Sequence, residues 1–250
     1  MSTTTSYSTH KPAARGPGRR RRTTRYVVTA AAVAIAGVSA LAVTGNARHD
    51  QTTFTADGIR KLVIDQDAGN VMLVPDTSAG HLQATTTRRC AWPEPVSDHT
   101  AKDGVVTLTG NCPGFFRIGP CAMDRRVSVP PGVTVEIHIS AGDINAAGLS
   151  LPDFRVDTDS GSIDATDMDV AAFSAETSAG SVRATLTGTP QRVNATTSSG
   201  DIQLTVPDAP YRIDAGTSAG QVRIGVTEDP AASRVVTAHT SSGDVILTRR

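Results

Sequence analysis

Aromatic residues are scarce in this chain. Its 250 residues hold one Trp, three Tyr and five Phe, 4% in all. An extended sugar-binding or single-stranded nucleic-acid groove uses rings as stacking platforms, so the shortage counts against both. Lysine is nearly missing too, confined to Lys11, Lys61 and Lys102 beside abundant Arg, Ala, Gly and Thr. Only three cysteines occur, with none in the CxxC-type spacing of a zinc site. No metalloprotease helix, P-loop, dinucleotide fingerprint or nucleophile elbow is found. These absences point away from an enzyme, from nucleic acid as a partner, and from any cofactor.

The formal net charge is zero, but the charge is not evenly spread. Residues 1–45 carry seven basic residues (Lys11, Arg15, Arg19 to Arg22 and Arg25) and no acidic one. Residues 1–25 are Ser, Thr, Pro, Gly and Arg, too polar to pack, and are expected to be a disordered cytoplasmic tail. Tyr26 to Gly45 then runs without a charge, long enough to span a bilayer as a helix. The basic run ahead of it predicts an N-terminus inside and the remainder outside, at the cell membrane. A cleaved signal peptide is the alternative, with Val38-Ser39-Ala40 as a small-residue cleavage site. Residues 46–56 read as a linker, and 57–250 as one extracellular domain, with an irregular Cys-containing part over 88–131.

What the chain has in quantity is a repeat. Ser-Ala-Gly, Ser-Gly or Ser-Ser-Gly phrases end at Gly142, Gly161, Gly180, Gly200, Gly220 and Gly243, spaced 19, 19, 20, 20 and 23 residues apart. A period near 20 marks a stacked, solenoid-like architecture. Weaker copies end at Gly69 and Gly80. Apolar residues recur two and four places after each glycine (Ile202 and Leu204 in one copy) and five and seven places before it (Ala195 and Val193). These period-2 positions on both sides of a turn read as strand, turn, strand. Glycine tolerates the positive φ of a sharp corner, and the neighbouring Ser and Thr bond nearby backbone. Frequent Ala at the inward positions implies a narrow interior. The expected fold is all-β, a parallel β-solenoid of about 20-residue coils, preceded by one transmembrane helix. The final residues, Arg249 and Arg250, would either guard the edge of the last coil or form a frayed, inert tail.

On these motifs (Ser140–Ile144, Ser160–Ile163, Ser178–Val182, Ser198–Ile202, Ser218–Val222 and Ser241–Val245) the chain resembles the bacterial "putative adhesin" β-solenoid family, over roughly residues 57–250. That resemblance implies an envelope-tethered protein of Gram-positive type. The name of the family describes shape more than activity.

Aligning the repeats brings His138, Asp157 and Glu176 to one position on successive coils, with Asp159 two residues beyond Asp157. Such a cluster could hold a hard cation such as Ca²⁺ or serve acid/base chemistry. An outward, solvated ladder is the plainer reading and is preferred, so no catalytic or metal residue is assigned. Cys112-Pro113-Gly114 and Gly119-Pro120-Cys121 bracket a pinched loop and suggest a Cys112–Cys121 disulfide, with Cys90 left over. Trp92, Phe115 and Phe116 sit around that loop and would anchor a partner if exposed.

The function expected from the sequence is a membrane-anchored, extracytoplasmic binding or scaffold module. Its partners would be the membrane through Tyr26–Gly45 and an unknown protein or cell-wall component. An accessory or sensor subunit of an envelope signalling system, with 1–25 touching a cytosolic partner, is the alternative. A β-helix carbohydrate-active enzyme is the least favoured.

Overall fold

The computed structural model describes residues 48–76, 80–92, 95–112 and 118–250, with the backbone alone at 48–50, 90–92 and 118–120. The expected tail 1–25 and apolar span 26–45 lie outside the described residues. Within them, every regular element is a strand, and no helix is long and apolar enough to cross a membrane.

Eighteen strands form one folded sheet. The first part contains β1 (Arg48–Asp57), β2 (Lys61–Ala68), β3 (Val71–Pro75), β4 (His81–Trp92), β5 (Val96–Lys102), β6 (Val105–Asn111) and β7 (Ile118–Val129). The middle contains β8 (Thr134–Ala141), β9 (Ile144–Ala147), β10 (Ser150–Ser160), β11 (Ile163–Ala179) and β12 (Val182–Leu186). The last part contains β13 (Arg192–Ser199), β14 (Ile202–Val206), β15 (Arg212–Ala219), β16 (Val222–Gly225), β17 (Val235–Ser242) and β18 (Val245–Arg249).

The coil beginning at β13 shows how the sequence builds the unit. Val193, Ala195 and Thr197 are buried on the first arm, Gly200 turns the chain, and Ile202, Leu204 and Val206 are buried on the second. Alternation of this kind is what a strand with one buried face requires. First arms then stack in parallel, β8 on β10 on β11 on β13, with like residues paired: Val135, Phe154, Phe173 and Val193. Second arms stack alongside, β9 on β11 on β12 on β14. Strand β11 serves both stacks. Its corner falls at Asp167, at φ 51, where the register with β12 slips. Asp is one of the few non-glycine residues that enter this left-handed region readily. The expected order of apolar and polar positions is therefore found, within a solenoid-like, all-β fold.

Three parts depart from the sequence expectation. Residues 48–57 are not a linker: they form β1, antiparallel to β4. The Thr52, Thr53 and Thr55 of that strand are good strand formers, and short polar composition masked them. The part over 88–131 is mostly ordered strand. β4 pairs antiparallel with β7, and β5 with β6, so the regular parallel stack gives way to hairpin-like pairing at this end. Gly80 does not join the column of turn glycines, because β4 runs against its neighbours instead of stacking in register.

The third departure concerns order along the stack. The last coil in sequence, β17–β18, is inserted between β13–β14 and β15–β16. Spatial order therefore runs from the Gly200 coil to the Gly243 coil to the Gly220 coil. At the other end the first coil, β2–β3, is likewise flanked on both sides, by β6–β7 and β8–β9. Arg249 and Arg250 thus guard no edge. Insertion pairs the C-terminal strand β18 on both sides and leaves the open edge at β15–β16 instead.

Candidate functional site

The His–Asp–Glu ladder read from the repeats is assembled in register but does not converge. Asp157 pairs with His138 on one side and Glu176 on the other. Asp65, His138, Asp157 and Asp159 line a shallow open groove of about 160 Å³. His138 Nε2, however, lies 3.0 Å from Glu136 Oε1, and Lys61 Nζ lies 2.6 Å from Glu136 Oε2. The Lys61 and His138 contacts hold the Glu136 carboxyl below the usual carboxylate range. Glu176 Oε1 accepts a hydrogen bond from Asn194 Nδ2 at 3.2 Å. His138 and Glu176 are thus engaged with different outward neighbours. Among the described residues, no group of three or more His, Cys, Asp or Glu is placed to hold a metal ion.

Cys112 and Cys121 are bonded, with Cα atoms 6.0 Å apart. The backbone of Cys90 pairs with that of Cys121 across β4 and β7. Phe115, Phe116 and the side chain of Trp92 lie outside the described residues.

The two ends of the stack differ chemically from its middle. At the β1–β7 end the interior turns polar. Met123, Arg125, Val127 and Val129 alternate inward along β7, which carries the Arg125 guanidinium into the core at 3% exposure. There Arg125 Nε donates to Gln66 Oε1 at 2.8 Å, Nη2 to the Thr109 carbonyl at 2.5 Å, and Nη1 to Thr86 Oγ1 at 3.4 Å. Gln66 and Thr86 are themselves buried. Among the described residues, no carboxylate pairs with Arg125. Burial without a counter-ion pushes its pKa down to about 10, so the charge persists at neutral pH. Beyond it lies a cavity of about 120 Å³. Phe54 of β1 and His99 of β5 meet across it with ring centroids 4.2 Å apart. Sequence reading missed this residue; the alternation Met123, Arg125, Val127, Val129 was the available signal.

At the other end, β15 and β16 form an outermost coil that, among the described residues, has a partner on one side only. Positions that are fully buried in inner coils are open here. Val222 is 39% exposed and Ile224 44%, whereas their counterparts Ile202, Leu204, Val245 and Leu247 are at most 1% exposed. Ile213, Ala215 and Val226 are only partly covered. An apolar surface beside an unpaired strand edge is where chains meet partners.

A family profile described as Toastrack DUF4097 matches residues 59–248. Among solved structures, a putative cell adhesion protein from Clostridium sporogenes is 12% identical, with a TM-score of 0.50, covering 81% of this chain and 100% of its own. A putative adhesin from Bacteroides fragilis is 13% identical, with a TM-score of 0.45 and coverage of 80% and 97%. One from Parabacteroides distasonis is 11% identical, with a TM-score of 0.42 and coverage of 80% and 98%. At such identities the likeness concerns the fold alone. No curated protein matches the chain. The chain belongs to the Toastrack DUF4097 family.

Proposed function

We propose that this Toastrack chain is a membrane-anchored, extracytoplasmic binding or scaffold module that engages a protein or cell-wall partner through the open end of its coil stack. The observation that carries the reading is the outermost coil, where Val222 and Ile224 occupy core positions yet remain exposed. Terminal repeats of a soluble solenoid ordinarily turn a polar face outward. This one keeps an apolar face, which is expected of a surface meant to be covered. We read the stack as a parallel β-solenoid of coils about 20 residues long. The tether is the uncharged run Tyr26–Gly45 behind seven basic residues. The outward His138, Asp157, Asp159 and Glu176 are left as a solvated ladder, without an enzymatic role.

The test places a photo-crosslinking residue at 224, at the open end, and another at 183, in mid-sheet, in living cells. Crosslinks at 224 but not at 183 support the reading. Equal silence, or crosslinks at 183 alone, sinks it. Protease added to intact protoplasts should remove the 47–250 portion and spare an N-terminal tag; a protected C-terminus overturns the topology.

A further inference from the structure

We propose that the cavity at the β1–β7 end is a binding site for a small aliphatic monocarboxylate, held by the Arg125 guanidinium. It lies at the end opposite the open coil and stands independently of that reading.

The argument begins with an uncompensated charge. An isolated cation inside a protein is costly unless it is paired, and neutral acceptors meet only part of that cost. Arg125 has three neutral acceptors and N–H donors left over. Its guanidinium reaches the floor of a cavity large enough for a few heavy atoms, about 120 Å³. Guanidinium and carboxylate are matched in geometry, and the pair is at its strongest where water is excluded.

The walls narrow the choice of anion. Phe54, Ala84 and Leu108 supply apolar surface, while Thr52 and Ser97 supply hydroxyls. A short hydrocarbon stub on the anion fits such a wall better than a fully polar ion does. One uncompensated guanidinium calls for one negative charge, which favours a monocarboxylate over a phosphate dianion. Arg88 also lines the wall but is itself engaged. Asp98 is the one carboxylate among the lining residues. It is exposed, its Oδ1 accepts the His99 backbone N–H at 2.8 Å, and the Arg125 guanidinium bonds to Gln66, Thr86 and Thr109 instead. Phe54 and His99, which touch between the strands β1 and β5, both line the cavity.

The experiment titrates the full chain, in a neutral detergent at constant ionic strength, with sodium acetate. Sodium propionate, chloride and sulfate run in parallel, read by calorimetry and by thermal midpoint. Saturable binding of acetate and propionate, absent with chloride and sulfate, is expected. Arg125→Met should weaken it roughly tenfold or more, as loss of a charge-assisted bond implies. Because that variant removes a buried network, Ser97→Leu provides a second arm: it fills the cavity and leaves Arg125 in place, and it should abolish the acetate response. Equal responses to acetate and chloride, a sulfate response matching that of acetate, or full acetate binding by Ser97→Leu would each overturn the proposal.

Discussion

Gly200→Ala is expected to destabilise the fold by about 3–5 kcal/mol. Gly200 has φ +147, a conformation that strains an L side chain by about 1–3 kcal/mol. An added Cβ would also stand 2.1 Å from the Gly180 carbonyl oxygen and 2.6 Å from its carbon. Both are backbone atoms, so no side chain can swing aside to relieve the clash. The oxygen is further pinned by Thr197 Oγ1, which donates to it at 2.9 Å. Relief requires the neighbouring coils to part. That weakens the bonds from Gly180 N–H to the Ser199 carbonyl and from Val182 N–H to the Asp201 carbonyl, both 2.9 Å. Each is worth about 1 kcal/mol net. The control is Gly58→Ala. Gly58 has φ +63 but nothing within 4 Å of its would-be Cβ, so it should cost only about 1 kcal/mol of strain. Urea unfolding followed by circular dichroism, with linear extrapolation, measures both. Equal costs at the two positions would refute the close glycine column as the reason for the repeat.

Other consequences are open to the same assay. Ala195→Leu, at a fully buried inner position, should cost about 1–3 kcal/mol by overpacking. Ala215→Leu, the equivalent change in the partly covered outer coil, should cost less than half of that, and equal penalties would contradict an open end. Reducing the Cys112–Cys121 bond, which closes a loop of sequence separation 9, should lower stability by about 2–3 kcal/mol on the chain-entropy account. Glu136 has its pKa depressed by Lys61 and then His138. Its contribution is therefore present above the ordinary carboxylate range and is lost as pH falls through the depressed value. Glu136→Gln should flatten the acid limb of the pH–stability profile, and an unchanged limb would assign that limb to other carboxylates.

Much of the fold is legible in the sequence because stacked coils repeat their own chemistry. Val193, Ala195, Ile202 and Leu204 announce an inward face, and their positions relative to Gly200 recur in the coils ending at Gly142, Gly161 and Gly180. What the sequence does not carry is the order of coils in space. The Gly220 and Gly243 coils have nearly the same pattern, with Ala215 and Ala238 or Val222 and Val245 interchangeable as neighbours of the Gly200 coil. Register then fixes which residues face each other, but not which coil comes next. The antiparallel end is obscured for a different reason. β1 and β4 are rich in Thr and Arg, and a strand pairing at a sheet margin needs little apolar alternation. The ladder of His138, Asp157 and Glu176 followed from period alone. Its dispersal onto Glu136 and Asn194 depended on side-chain reach, which period does not specify. Arg125 sat in plain alternation with Met123 and Val127, but a charged residue at an inward position is rare enough to be read outward.

The claim on which the open-end reading depends is that β15–β16, and not the last coil in sequence, terminates the stack. Ile246 is paired with Gln203 on one side and Arg223 on the other. Adjacent strands lie about 4.8 Å apart, within disulfide reach, whereas strands two apart do not. In a Cys90→Ser background, Gln203→Cys with Ile246→Cys should crosslink rapidly under mild oxidation, and Gln203→Cys with Arg223→Cys should not. Crosslinking of 203 to 223, with none to 246, would restore sequential stacking and contradict the account.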